Sequence, residues 1–533
     1  MINSTISGNT ANGTGSSSGG GAIDSYGSAP VMSFYNSTIT NNTAVAPNTH
    51  KSGIWMESGN AGYFNTIIAN NNGANNCHFE FGTQWGYIGN IDSGTSCGFT
   101  SGAYNNTNPL LAPLGNNGGF TQTHALLPGS PAINNGNNGY AVEEDDTTPL
   151  TTDQRGAGFP RIRGVSVDIG AYESACIGSP YAVPAGDATT LIDAITCANG
   201  SAADDVINLA SASTYTLTAA YASDNGLPAI TSGSGTLTIN GNGATIERSF
   251  ALGTSDFRIF YLNAGSNLTL NRVRLTNGQV PGTSGGAIYN SGGTLTLMES
   301  TVDANTASFG AGIFNASGST TILLSSTVSN NVAASDGGGV ANSNAILRVI
   351  NSTISGNSAN GTDVSGGGGA IESFGASADL SIRNSTITNN TAAAPNAARS
   401  GVWYRDGGAY IDNNIISGNN GGNNCQIDGG AWSPFDSIED GLTCVFNNNG
   451  NPLLGPLANN GGPTLTHALL PGSPAINIGY NDSTDDQFGE PLVYDQRGEG
   501  FPRILDGTVD LGAWKVTAPA PSPSPSRRRI QPA

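Results

Sequence analysis

Apolar residues along this chain fall at every second position inside short runs, and the runs are separated by Gly, Asn and Ser. The pattern recurs. Asn351-Ser352-Thr353-Ile354-Ser355-Gly356-Asn357 has degenerate copies at Glu299 to Asn305, Ser325 to Asn331, Asn384 to Asn390 and Asn413 to Asn419, and again near the start at Asn3 to Asn9, Asn36 to Asn42 and Asn65 to Asn71. From residue 299 onward the copies begin 26, 26, 33 and 29 residues apart. Self-similarity at this period marks a solenoid.

Each unit holds three pieces. A Gly-rich piece ends apolar, as in Gly285-Gly286-Ala287-Ile288 and Gly310-Ala311-Gly312-Ile313. A small alternating run follows, as in Leu295-Thr296-Leu297 and Leu347-Arg348-Val349. The repeated stretch is third, with an apolar fourth position at Val302, Val328, Ile354, Ile387 and Ile416. Runs of this length with period-2 alternation, bounded by turn residues, predict strands and corners, and no helix of ordinary length fits inside a unit. The expected fold is all-β: a parallel β-helix with three strands per coil and apolar residues stacked coil on coil. The closing Asn of each stretch (Asn305, Asn331, Asn357, Asn390) is expected at a corner, tolerating left-handed backbone and bonding along a ladder. The Asn-Ser-Thr tripeptides match glycosylation sequons, but the periodicity accounts for them.

Composition agrees with a thin solenoid core. Of 533 residues only 37% are hydrophobic and 11% charged, with 76 Gly. The periodic apolar positions argue against a disordered low-complexity chain. A net charge of −20 argues against nucleic acid and anionic membrane surfaces as partners. No run of 18 apolar residues predicts a membrane span. The six Cys fall as Cys77 with Cys97, Cys176 with Cys197, and Cys425 with Cys444, at separations of 20, 21 and 19. None has zinc-site spacing. Three local disulfides are the natural reading, implying an oxidising, extracytoplasmic setting; six unpaired buried thiols are the alternative.

The chain is an internal duplication. Residues 1–173 match 349–515, with Asn36 to Ala44 identical to Asn384 to Ala392 and Thr123 to Asn134 identical to Thr466 to Asn477. The second copy has a leader that the first lacks. Asp187 to Asn199 carries Leu191, Ile192 and Ile195 on one face, with Thr190 and Asp193 spaced as a capping box, which predicts a short helix capping the open end of the solenoid. The expected segments are the last coils of a truncated first β-helix (1–103), its closing module (104–173), the leader and cap (174–250), the second β-helix (251–446), its closing module (447–516) and a Pro/Ser-rich tail (517–533). The first copy is about 175 residues short of the second. The chain is therefore expected to be a piece of a longer protein, with any signal peptide upstream.

The closing modules carry a resemblance. Both run Asn-Pro-Leu-Leu (Asn108, Asn451), Asn-Asn-Gly-Gly, Thr-His-Ala-Leu, Gly-Ser-Pro-Ala-Ile-Asn, Asp-Gln-Arg-Gly (Asp153, Asp495), then Asp-Ile-Gly-Ala-Tyr-Glu (from Asp168) or its variant from Asp510. This resembles the choice-of-anchor Q domain of bacterial surface proteins. The resemblance implies a pectate-lyase-like right-handed β-helix, display at the cell surface or secretion, and varied anchoring signals. The leader Thr190 to Ile195 is similar to the Cys-Ser-Leu-Arg-Glu-Ala motif seen at the front of such proteins, but lacks the Cys and has Ile192 for Arg and Asp193 for Glu. The Gly-Gly-Ala-Ile units resemble repeats of polymorphic outer-membrane adhesins.

Candidate chemistry is sparse. Asp256, Asp303, Asp336, Asp363, Asp379, Asp406 and Asp412 are scattered singly through the coils, without His among them. Polysaccharide cleavage would need several carboxylates converging from adjacent coils. No catalytic residue and no cofactor is assigned. The acidic loops at Asp145 and Asp146 and at Asp485 and Asp486 are calcium candidates, hard oxygen ligands on flexible segments, against the plainer reading of solvated loops. His124 and His467 read as hydrogen-bonded core residues. Asp153 with Arg155, and Asp495 with Arg497, read as internal ion pairs. The expected role is structural or adhesive, a monomer contacting carbohydrate or cell-surface ligands; the alternative is a polysaccharide lyase or glycoside hydrolase. Thiol titration of denatured, unreduced protein made in an oxidising compartment should find almost no free Cys; six titratable thiols would contradict the disulfide reading.

Overall fold

The computed structural model describes residues 1–516, apart from 29, 73–74, 101–102, 128, 146, 164–165, 175, 177–178, 201–202, 232–234, 364–365, 421–422 and 506. The tail 517–533 and Asp146 therefore lie outside the described residues.

The alternating runs form parallel strands in register, as their spacing predicts. In the later coils Thr353–Ser355 pairs with Thr327–Ser329 on one side and Thr386–Thr388 on the other. Side chains of one parity point inward and meet their counterparts in the next coil. Leu275, Val302, Val328, Ile354, Ile387 and Ile416 form one such column, all buried. Leu270, Leu297, Leu323, Val349, Ile382 and Ile411 form a second. Ile288, Ile313, Val340, Ile371 and Val402 form a third, on the strands that follow the Gly-rich pieces. This is a parallel β-helix.

Five successive coils of the second unit carry a fourth short strand that the sequence did not suggest. Gln279–Ser284, Thr306–Phe309, Val332–Asp336, Ser358–Ala359 and Thr391–Ala392 form a separate five-stranded sheet. Its inward residues after Val280 are all Ala (Ala307, Ala333, Ala359, Ala392). Two-residue pairings with so small a side chain leave no hydrophobic periodicity to read.

The corner Asn residues form the expected ladder, but their backbone is not what fits them for it. Asn305, Asn331, Asn357 and Asn390 are fully buried. Each donates from Nδ2 to the Oδ1 of the next at 2.9 Å, and Asn390 continues to Asn419. Each carbonyl oxygen also accepts a backbone N–H from one coil earlier, that of Gly278 at Asn305 and of the preceding Asn at the others, as Asn390 Oδ1 does from Asn357 at 2.9 Å. Left-handed backbone falls instead on the residue before, Ala304, Asn330, Gly356 and Asn389, and on the first residue of each stretch, such as Asn351 and Asn384. The ladder position needs an amide that donates and accepts at once. Ser300, Ser326, Ser352 and Ser385 make a second buried ladder, each hydroxyl accepting a backbone N–H from the previous coil at 3.0–3.1 Å. Asn290, Asn315 and Asn342 make a third, ending on Ser373.

The chain forms two compact units, Met1–Tyr181 with Asp193–Asp205, and Ala182–Ile192 with Val206–Ala533. The first has the same coil plan: Thr5–Ser7, Thr38–Thr40 and Ile67–Ala69 are parallel neighbours, and Asn9, Asn42, Asn71 and Asn76 repeat the ladder. The one α-helix among the described residues, Ala188–Gly200, buries Leu191, Ala194, Ile195 and Ala198. Its cap differs from expectation. Asp187, not Thr190, is the capping residue, with its carboxylate accepting from the Thr190 N–H and hydroxyl at 3.0 and 2.6 Å. Thr190 and Asp193 fall inside the helix. The disulfides join Cys77 to Cys97, Cys176 to Cys197, and Cys425 to Cys444, with no free Cys. Replacing Ile354 with Asp puts an uncompensated charge in the first inward column. The variant should lose strand protection in amide hydrogen exchange across coils 327–388, and wild-type protection there would contradict the inward stacking.

Candidate functional site

In the repeated stretch the inward fourth residue alternates with outward first, third and fifth residues. Those outward side chains are not left to solvent. The closing module of each unit lies against them. Asn351 donates to the Tyr494 carbonyl at 3.2 Å, Thr353 to Gln496 Oε1 at 2.6 Å, and Ser355 pairs with His467 Nε2 at 2.9 Å. On the next coil Asn384 donates to the Ser483 carbonyl, and the Thr386 hydroxyl accepts from the Ala513 N–H. Asn413 donates to the Tyr480 carbonyl. Unit one repeats the scheme: Asn3 donates to the Thr152 carbonyl, Thr5 to Gln154, Ser7 pairs with His124, and Thr38 accepts from Ala171.

The module's shared motifs now have physical roles. In Asp-Gln-Arg-Gly, Asp495 accepts the Arg497 guanidinium at 2.5 Å, and that guanidinium lies over Phe501 and Trp514. Asp153 and Arg155 do the same with Phe159 and Tyr172. The intervening Gln496 bridges Thr353 to Thr327 and Thr464. Gly512, at φ +86, lies so close to Thr386 that a Cβ would come within 2.7 Å of its hydroxyl. His467 accepts at Nε2 from Ser355 when Nδ1 donates to the Gly455 carbonyl, 2.7 Å away. Sequence reasoning missed Arg161 and Arg503, both fully buried; the Gly-Phe-Pro-Arg shared by the two copies was the available signal. Arg503 reaches Asn384 and the carbonyls of Asp510 and Gly512, and burial pushes its guanidinium down to about 10. Arg161 is 3.3 Å from Glu173, whose carboxyl is pushed up to about 8 by burial, with Asp168 adding to it.

The acidic loops use their carboxylates on themselves. Asp145 accepts from the Thr148 hydroxyl and from the N–H groups of Thr148 and Thr147, which hold it down at about 2. Asp486 accepts from the Phe488 and Glu490 N–H groups, and Asp485 bridges Pro491 through its backbone. Among the described residues no three of His, Cys, Asp and Glu group as metal ligands. Carboxylates do draw together at one other place. Burial, with Asp336 adding, pushes Glu372 up to about 8, and burial pushes Asp336 to about 6. Both lie buried beside the Gly367–Gly368 turn, with Arg405 bonded to Glu372 at 3.1 Å and stacked with Arg399 on Trp403. Lys51 on Trp55 is the counterpart in unit one.

The outward strip stays open over the first coils of unit two. A groove of about 660 Å³ there is lined by Thr245, Arg272, Arg274, Glu299, Thr301 and Asp303 on the coils and by Asn459 and Gly462 to Leu465 on the closing module. Arg272 pairs with Glu299 at 2.5 Å, and Arg274 holds Asp303 through two bonds of 2.8 and 2.7 Å. Arg272 and Glu299 take the left-handed first position of their coils, at φ 53 and 48. Asn takes it in the covered coils at 351, 384 and 413. A side chain with an ordinary Cβ costs about 1–2 kcal/mol there, and Asn less.

No family model matches the chain, and no curated protein matches it. Among solved structures it is similar to pectate lyase Pel9A, at 15% identity over 58% of this chain and 88% of that one, with a TM-score of 0.28. The class is set by this chain's own strand pairing: a disulfide-bonded parallel β-helix with a closing module folded onto its coils. The disulfides fit an oxidising, extracellular environment. Among the described residues no helix is long and apolar enough to cross a membrane.

Burial lowers the His467 affinity for a proton. The unfolded or undocked imidazole, near its ordinary value of about 6.5, takes a proton first. Its contribution to docking is therefore complete above that pH and is lost as pH falls below it. Amide protection factors over 464–469, corrected for intrinsic exchange at each pH, should fall between pH 7 and 5, and the fall should be smaller in His467→Gln; an equal fall in the variant would contradict this role.

Proposed function

We propose that the protein is a secreted or surface-displayed, non-catalytic β-helix of the choice-of-anchor Q kind, a rigid acidic scaffold with a structural or adhesive role in contact with carbohydrate or a host or matrix surface. One observation carries the reading. Along the repeated strands the closing module engages outward side chains of the covered coils, and the charged side chains of the open groove are paired with each other as Arg272–Glu299 and Arg274–Asp303. Acid–base cleavage of a glycosidic or uronic linkage calls for carboxylates or bases that can reach substrate and exchange protons with it. Glu372 and Asp336, the carboxylates most shifted in the later coils, are buried. The duplicated docking motifs also support a module whose work is to close and brace the solenoid.

Purified full chain incubated with polygalacturonate, xylan and mixed-linkage glucan, with and without calcium, should release no reducing ends and no unsaturated products above the no-protein background. Reproducible turnover of any of them would overturn the non-catalytic reading.

A further inference from the structure

The open groove of unit two differs from the rest of the outward strip in three independent ways. The closing module stops short of covering it, so loop 459–465 forms one wall and the coils another. Its outward side chains change from Asn, Ser and Thr to Arg and carboxylate, with Arg272 and Glu299 at left-handed positions that Ser325, Asn351, Asn384 and Asn413 fill in the covered coils. The long strand Leu237–Arg248 bulges beside it: Asn240 pairs with Asn271 and Ala244 with Val273, so residues 241–243 face Arg272 alone. Gly241 permits this, since a Cβ there would lie 2.4 Å from the Arg272 carbonyl oxygen. Bulges of this kind re-aim side chains and recur at functional sites.

We propose that this groove binds an uncharged oligosaccharide laid across the first coils. The proposal rests on the carbohydrate-contact reading above and gives that contact a place. Two guanidinium groups and two carboxylates balance within the groove, while the whole chain carries −20. A polyanion gains nothing locally and is repelled at long range. Each Arg–carboxylate pair sets donors beside acceptors, the arrangement that neighbouring sugar hydroxyls match because each both donates and accepts. Thr245 and Thr301 add hydroxyls, and the exposed Pro463 and Leu465 supply apolar surface for C–H faces. The groove's volume of about 660 Å³ is that of a ligand site. Strands lie ~4.8 Å apart, so Thr245, Arg274 and Thr301, register partners on three successive coils, offer contacts spread over ~10 Å.

The test is calorimetric titration of the full chain with cellohexaose, xylohexaose and mannohexaose, with the hexamer of galacturonic acid as the charged comparator. Thr301→Trp fills the groove from an outward position, Arg274→Ala removes one bonding pair, and Arg348→Ala removes the exposed pair to Asp379 outside the groove as a control. At least one neutral hexasaccharide should bind, with affinity about ten-fold weaker in Thr301→Trp and Arg274→Ala and unchanged in Arg348→Ala. The site is overturned if no neutral hexasaccharide binds at about 5 mM, if only the galacturonide binds, or if Thr301→Trp binds as wild type. The ligand is recovered afterwards by chromatography. Intact sugar bound in the groove supports both readings; shortened sugar with groove-dependent binding supports the site and overturns the non-catalytic function alone.

Discussion

The Asn357 amide is buried in a corner, donates to Asn390 and accepts from Asn331. A buried amide without partners costs about 1–3 kcal/mol for each unmet group. Here the partner of each amide is the same residue type one coil away, so the cost is met only if every coil keeps its register. The inward columns impose the same condition, because a slip of one residue would turn Ile354 outward and Thr353 or Ser355 inward. Corner ladders and aliphatic columns thus specify a single stacking, and variation in coil length, from 26 to 33 residues, is absorbed in the loops between strands.

Coils fixed in this way present a regular outward strip of Asn, Thr and Ser, and the closing module is built to fit it. Its own apolar content is small. Leu469, Ala475 and Leu511 pack with Ile415 and Ile438, so part of the module's core is supplied by the coils. In unit one Leu126, Ala132 and Ile169 pack with Ile67, Ala69 and Ile91 in the same manner. The buried Asp495–Arg497 and Asp153–Arg155 pairs brace the module internally, and Gln496 and His467 connect it to the strip. A segment so poor in regular secondary structure holds its shape because its polar groups are satisfied by a surface that is itself rigid.

Where the module ends, the strip is open and its chemistry changes. Arg272, Glu299, Arg274 and Asp303 occupy places equivalent to those that carry Asn, Thr and Ser under the module. The same backbone geometry therefore serves two purposes: in covered coils the outward residues hold the module, and in open coils they line a groove.

The sequence alone determined the coil. Period-2 runs at a fixed spacing placed Ile354 inward, placed Asn305, Asn331, Asn357 and Asn390 in a ladder, and grouped the six Cys by their local separations. These features are legible because each residue's partner is an equivalent residue about one period away, so the contact is written as repetition. The helix was legible too, but its cap was misplaced by three residues, since Asp187 and Thr190 are both good capping types. The tertiary structure decided what the outward residues do. Thr353 meets Gln496 across 143 positions, and Ser355 meets His467 across 112. Contacts between unlike residues at such separations leave no periodic trace. The groove depends further on where the cover stops, which is settled by how the closing module packs against the coils rather than by any local motif.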